Sequence, residues 1–325
     1  MTVVVTGSTG FVGNNLVRAL LAAGQPVRAL VYLDAERERL AGLDVEIMHA
    51  DVTDVASLEC AFAGAALVYH LAGRIELSSQ GAARMQAINV RGVQNVVAAC
   101  QAQSVQRLVH ISSFHAMQQT PFDVPVTEDS PLVSPDFRFS YNRTKAAGER
   151  VVRAAMRDAG LDTVILRPTG IIGPHDYEPS LFGSILQQLA RGSLPGLVDG
   201  YCDWVDVRDV TAGIIAAATK APTGATYILS GHNAHLREIA EVVAAHTGVP
   251  APRFVAPRWL AMCSIPASVA WARVTGKPLR LTLDSMDAMR PNPHISHKRA
   301  ARELGYQPRP LAETIVDTLD WFFDR

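Results

Sequence analysis

Tyr141 and Lys145 stand four residues apart in the run Tyr141-Asn142-Arg143-Thr144-Lys145. On a helix that spacing puts both side chains on one face. A phenol ionises at a pH of about 10 and is a poor base at neutrality. An ammonium one turn away favours the phenolate and lowers that value. Such a pair can give a proton to a carbonyl oxygen or take one from an alcohol. A second feature with chemical consequences opens the chain: Thr6-Gly7-Ser8-Thr9-Gly10-Phe11-Val12-Gly13. Gly7 permits a tight turn, Gly10 lets the backbone approach a pyrophosphate, and Gly13 allows close packing of helix on strand. A helix opening here offers N–H groups and a positive dipole end to phosphates. The expected ligand is a dinucleotide, held by Gly7, Thr9, Gly10, Phe11, Val12 and Gly13.

These groups must be carried by regular elements. Val3–Thr6, Val27–Tyr32, Val45–His49, Val68–Leu71, Arg107–Ser112 and Thr163–Arg167 read as strands. Amphipathic stretches at Asn14–Ala23, Ala83–Gln101 and Tyr141–Ala159 read as helices. Alternation of this kind predicts βαβ units and a parallel sheet covered on both faces. After Arg167 the pattern loosens, with frequent Pro and Gly to Gly200. Trp204–Val207, Val210–Thr219 and Thr226–Leu229 then look like sheet and helix again. The fold class is α/β: a Rossmann-type doubly wound parallel sheet with a smaller mixed α/β C-terminal substrate cap. Residues 1–168 plus about 203–232 are assigned to the dinucleotide-binding domain. About 169–202 plus 233–325 form the cap.

In this order the motifs resemble those of the extended short-chain dehydrogenase/reductase family, also called the NAD-dependent epimerase/dehydratase superfamily. TGSTGFVG is similar to its cofactor loop. Asp51-Val52 resembles its adenine contact, and His70-Leu71-Ala72-Gly73 its motif beside the cofactor. Asn89-Val90-Arg91-Gly92-Val93-Gln94-Asn95 resembles its NVxGTxN helix. Arg167-Pro168-Thr169-Gly170 and Gly173-Pro174 resemble its segment near the nicotinamide. The resemblance implies an NAD(P)-dependent oxidoreductase acting on an alcohol or carbonyl. Tyr141 is then the acid/base, Lys145 also holds the nicotinamide ribose, and a serine hydroxyl binds the substrate oxygen. Ser113 fits that place best and Ser112 second, with Ser112 counted among the cofactor contacts. Asp51, Val52, Leu71, Ala72, Gly73, Pro168, Gly170 and Ile171 complete the implied cofactor set. A homodimer through the helices at 83–101 and 141–159 is implied as well.

The second strand should end on the residue that reads the adenosine ribose. The acidic position of an NAD site falls on Val31, and the arginine position of an NADP site on Tyr32. The missing carboxylate and nearby Arg28, Arg37 and Arg39 tilt the choice slightly to NADP; Asp34 could still serve NAD. Nucleotide-sugar members of the family resemble one another in an Asn after the late Arg and an Arg before an FVxVxD-like segment. Here Thr169 takes the first place, and no Arg precedes Trp204. The pattern is closer to dihydroflavonol-reductase and 3β-hydroxysteroid-dehydrogenase-like members. The expected substrate is a small apolar or ring-shaped ketone or alcohol, touched by Phe114, His115 and Phe139. A nucleotide-sugar epimerase or dehydratase is the alternative. The apolar run Trp259–Trp271 reads either as a lid over the substrate or as cap core or subunit contact.

Composition narrows the field. Hydrophobic residues make up 48% of the 325 and charged ones 19%, enough for a large core. A net charge of −1, with no basic block, gives no footprint for nucleic acid. The cysteines Cys60, Cys100, Cys202 and Cys263 are widely spaced, as in a reducing compartment. No signal-like start and no apolar run of membrane-spanning length appear, so a cytoplasmic location is expected. No GxSxG elbow supports a serine hydrolase. His232, His235, His294 and His297 lack Cys or acidic neighbours at metal spacing, and no metal is expected.

Overall fold

The computed structural model describes residues 2–75, 81–275, 286 and 291–324, with side chains left aside for 267–275. β1 (Val3–Thr6) is buried at every position, as an apolar central strand must be. It pairs in parallel with β2 (Val27–Val31) on one side and β4 (Leu67–His70) on the other. β3 (Glu46–His49), β5 (Arg107–Ile111), β6 (Thr163–Pro168) and β10 (Thr226–Leu229) extend the sheet. The strand order is β10-β6-β5-β4-β1-β2-β3, parallel throughout. The chain order reverses between β1 and β4, and ligands of such sheets sit beyond the strand ends at that point. The doubly wound sheet expected from the alternation is present.

α1 (Phe11–Ala22) and α7 (Val207–Lys220) cover one face, around Leu16, Val109, Leu166 and Ile214. α2 (Val55–Phe62), α3 (Ala82–Gln86), α4 (Val93–Ala102) and α5 (Ser140–Ala159) lie on the other side, where Leu58, Val96, Leu108 and Val152 form a second core. Residues Ala87–Gly92 join α3 to α4 through a π-helical turn. α1 begins three residues before the expected Asn14, because Gly10 caps it directly.

A smaller layer holds β7 (Gly170–Ile172), β9 (Tyr201–Asp206) and β11 (His232–His235) in order β11-β9-β7. α6 (Leu181–Ala190), α8 (Leu236–Thr247) and the C-terminal helix Leu311–Phe323 enclose a third core with Trp204 and Ile239. The strand read at Trp204–Val207 therefore pairs outside the large sheet. The helix Lys298–Leu304 sends Ala300 and Leu304 into the core shared with α1 and α7. In the apolar run, Trp259, Leu260 and Met262 are exposed rather than core; Val269 and Trp271 lie outside the described side chains. Cys100 and Cys202 are buried, and Cys60 and Cys263 exposed.

The approach of α5 to the π turn is set by one residue. A Cβ on Gly148 would stand 2.4 Å from the Asn89 carbonyl oxygen. Both partners are backbone, so neither can step aside cheaply. Gly148→Ala is expected to destabilise the protein by about 1–3 kcal/mol, read as a lowered melting temperature.

Candidate active site

Gly7 follows β1, and its φ of 66° is open to glycine at no cost. A Cβ there would meet the Ala72 backbone nitrogen at 2.8 Å, and one on Gly13 would meet the Gly7 carbonyl oxygen at 2.0 Å. The loop is thus packed backbone on backbone. No side chain caps α1, and its first turn carries no acid, which suits an anion at its N–H groups. A cleft of about 600 Å³ opens above. Gly7, Thr9, Gly10, Tyr32, Asp51, Val52, Leu71, Ala72 and Gly73 line it, all from the expected set. Asp51 accepts from the Thr53 N–H at 2.8 Å, and the Val52 carbonyl accepts from Asn95 at 2.9 Å, so both are locally fixed. Phe11, Val12, Gly13, Ser112, Pro168, Gly170 and Ile171 do not line this cleft. Phe11 to Gly13 form the first turn of α1 beneath it. Pro168 ends β6, and Gly170 and Ile171 begin β7. The donor set and the glycine cradle fit a dinucleotide.

The cleft corrects the arginine reading. Arg28 turns away to Glu46 and to the carbonyls of Ala61 and Ala63. Arg37 pairs with Asp34 at the surface. Only Arg39 of the three lines the cleft, with Glu36 beside it accepting from Thr9 at 3.0 Å. Arg74, Arg84 and Arg91 join from the other wall, and Arg84 lies 5.9 Å from the Tyr32 ring centroid. Arg84, Ala87, Ile88 and Arg91 repeat at i, i+3, i+4, i+7, a helical-face pattern that could have marked them beforehand. Glu178, also missed, reaches Arg39 from the segment after β7.

α5 carries the proton-handling pair. Ser113 ends the β5 strand region and accepts from the His115 N–H at 3.1 Å. Its hydroxyl also bonds the Tyr141 phenol, which favours the phenolate. Burial outweighs that bond and raises the Tyr141 pKa above its ordinary value. The sequence expectation of a phenol acidified by Lys145 is not what this arrangement gives. Lys145 instead donates to the Ile111 carbonyl at 2.9 Å. Burial lowers its pKa to about 8, against the pull of Glu149 one turn further on. A Cβ on Gly73 would lie 3.6 Å from the Lys145 ammonium, so the lysine reaches the cleft wall.

Around this pair the charges are few. His70 and His110 stack at 5.4 Å between ring centroids. Burial, and then Lys145, hold His70 down to about 3; burial, His70 and Lys145 hold His110 well below the usual imidazole range. Thr6 bonds His70 Nδ1 at 2.8 Å and also accepts from the Ala72 N–H at 3.2 Å. Asn89 clamps both backbone groups of Arg74 and donates to Thr144 at 3.1 Å. The His115 ring meets Tyr141 edge-on at 6.0 Å and Phe114 at 4.8 Å. Burial brings the His115 pKa down to about 4, so that ring is neutral. Phe139 is buried at the start of α5, under Arg138. Ser112 is buried beside Glu149, away from the cleft.

The histidines weighed as ligands are engaged elsewhere: His232 with the Arg309 carbonyl at 2.8 Å, His297 with Ser230 at 2.9 Å. Among the described residues no three His, Cys, Asp or Glu side chains gather at metal spacing. A charged Lys145 requires a pH below about 8. Proton-coupled turnover is expected to fall as pH rises through that value. Glu149→Gln removes the carboxylate that supports the cation and should move the fall to lower pH. A pH–rate profile of both proteins checks this.

The sequence profile of the NAD dependent epimerase/dehydratase family matches residues 3–229. A curated relative, sterol demethylase protein B of Methylococcus capsulatus, is 32% identical, covering 100% of this chain and 99% of its own. A 3 beta-hydroxysteroid dehydrogenase/Delta 5-->4-isomerase of Mycobacterium tuberculosis is 29% identical over 94% of this chain and 86% of its own. Among solved structures, a nucleoside-diphosphate-sugar epimerase from Pseudomonas aeruginosa superposes with a TM-score of 0.81 at 26% identity, covering 100% of this chain and 98% of that one. The glycine cradle, the Ser113–Tyr141 contact and this match agree, and the chain belongs to the NAD-dependent epimerase/dehydratase family, as an NAD(P)-dependent oxidoreductase of the extended short-chain dehydrogenase type.

Proposed function

We propose that the protein reduces the carbonyl of a small apolar or ring-shaped substrate, reversibly, using Ser113, Tyr141 and Lys145. The bound nicotinamide supplies or accepts the hydride. Ser113 holds the substrate oxygen, and its hydrogen bond to Tyr141 aligns the phenol for proton transfer at that oxygen. Tyr141 is protonated at neutral pH and can give its proton to the carbonyl oxygen in reduction, taking it back in the reverse step. Lys145 would hold the nicotinamide ribose beside Gly73. The observation that carries this reading is the Ser113–Tyr141 hydrogen bond, on the helix whose Lys145 reaches Gly73 of the glycine-lined cleft.

The surroundings of Tyr141 support an apolar substrate: a neutral His115 meets its ring edge-on and Phe114 packs against His115. Thr169, which stands where nucleotide-sugar members carry Asn, donates to Asp203 at 2.6 Å. That leaves it poorly placed to serve a diphosphate. Relatives named as 3 beta-hydroxysteroid dehydrogenases and as a farnesyl-quinoline ketoreductase support the same substrate class. The alternative, a nucleotide-sugar epimerase, is supported by solved structures of that name. Residues 1–168 plus about 203–232 are assigned to the dinucleotide, and about 169–202 plus 233–325 to the substrate. Cytoplasmic location and a homodimer through the outer faces of α4 and α5 belong to the same proposal.

NADP is the favoured form in this reading. Arg84 over the Tyr32 ring and Arg39 in the same cleft are cations that support a 2′-phosphate, although Glu36 there supports NAD. Arg84→Ala is expected to raise the KM for NADPH by about tenfold and leave that for NADH nearly unchanged. Equal effects on both cofactors would contradict it. Tyr141→Phe should lower carbonyl reduction by about 10²–10⁴-fold while NADPH still binds. The wild-type enzyme should consume free NADPH with a panel of cyclic ketones; turnover of a nucleotide sugar without net NADPH consumption would favour the epimerase.

A further inference from the structure

The helix α9 (Arg258–Thr275) is turned inside out in its first two turns. A soluble helix hides its large apolar side chains and shows its polar ones. Here Ala261 is buried, while Trp259 is 65%, Met262 41% and Leu260 39% exposed. Positions i, i+1, i+3 and i+4 share a broad face, so Trp259, Leu260, Met262 and Cys263 look outward together. Phe254, 58% exposed, lies just before the helix. Its neighbours Val255–Ala256 form β12, which pairs with β8 (Leu197–Val198). The Phe254 carbonyl accepts from the Leu197 N–H at 2.9 Å, and a Cβ on Gly196 would touch the Phe254 ring at 3.0 Å. The patch therefore sits on fixed backbone, with Pro257 receiving the first helical hydrogen bonds.

Charge in this part of the sequence is one-sided. None of the chain's 31 Asp and Glu residues falls between positions 242 and 283. The same stretch holds Arg253, Arg258, Arg273, Lys277 and Arg280, on a chain whose net charge is −1. Arg253 is exposed beside Phe254, and Arg258 donates to the Met286 carbonyl. Isolated exposed apolar residues are ordinary, but four within nine positions, with Arg253 and Arg258 among them in sequence and exposed Asp199 the acid that the backbone brings beside Ala256, form a patch that calls for a partner. Tryptophan and phenylalanine favour the headgroup level of a bilayer, and basic residues favour anionic lipid. Among the described residues no helix is long and apolar enough to cross a membrane. We propose that this face docks peripherally on an anionic lipid bilayer, with Trp259, Leu260, Met262 and Phe254 entering the interface and Arg253 meeting the headgroups.

Co-sedimentation of the full chain with vesicles tests it. Vesicles of phosphatidylcholine alone are compared with phosphatidylcholine mixed with phosphatidylglycerol. The wild type should bind the mixed vesicles and release as salt rises. The double variant Trp259→Ser, Leu260→Ser should lose at least about tenfold in partition. Arg253→Glu should lose about fivefold or more, on the anionic vesicles only. An unchanged melting temperature in each variant shows that folding is intact, and the salt response of the wild type stands without any variant. Failure of the wild type to bind either vesicle overturns the proposal. So does a dimer in analytical ultracentrifugation that the double variant converts to monomer, since the face would then belong to a second copy.

Discussion

The ion pair between Glu149 and Arg167 is the fixed point of the site. Both side chains are essentially out of water. Arg167 donates to the two Glu149 oxygens from β6, and Arg153 adds a third bond from the next turn of α5. A charge pair this deep is not a gain over apolar packing, but removing either member would strand the other. It therefore forces α5 to lie over β6 in one register. Arg167 also reaches the Met117 sulfur and the Glu128 carbonyl, which ties down the segment that begins at Ser113. Helix, strand and the segment after Ser113 are thus aligned by one guanidinium.

That alignment has an electrostatic consequence. Glu149 lies one turn beyond Lys145 and is the charge that keeps the buried ammonium protonated. Without it, desolvation alone would act on the lysine. The same burial leaves His70, His110 and His115 neutral and Tyr141 protonated. Around neutral pH Lys145 and Tyr141 thus sit among uncharged rings, with the Glu149–Arg167 pair behind them.

The dinucleotide cleft is tied to the smaller layer along one side. Asn15 donates to the Pro174 carbonyl, Arg18 to the Tyr177 hydroxyl, and Arg39 pairs with Glu178. All three partners come from the segment following β7, so the chain that closes the cleft also leads into the third core. Arg39 is shared between the cofactor wall and this contact. Glu178 lines the cleft as well, so the segment after β7 forms part of its wall.

Short-range spacing was enough to read much of this protein. The glycine loop, the Tyr141–Lys145 face and the strand–helix alternation are all relations within a few residues, governed by periods of 2.0 and 3.6. They placed the large parallel sheet; that Asp51 and Gly73 join Gly7 at one cleft was implied by the family resemblance, not by spacing. Only the tertiary structure decided what those groups experience. Arg28 and Arg37 looked as near to the ribose as Arg39, yet strand direction and a surface pair took them away. Arg84 and Arg91 came to the cleft from an element more than fifty residues downstream. Lys145 faces the Ile111 carbonyl and Tyr141 is less acidic than a free phenol, because desolvation is a sum over everything packed around a group. Sequence spacing fixes which side chains share a face; the water removed from that face is fixed by residues far along the chain.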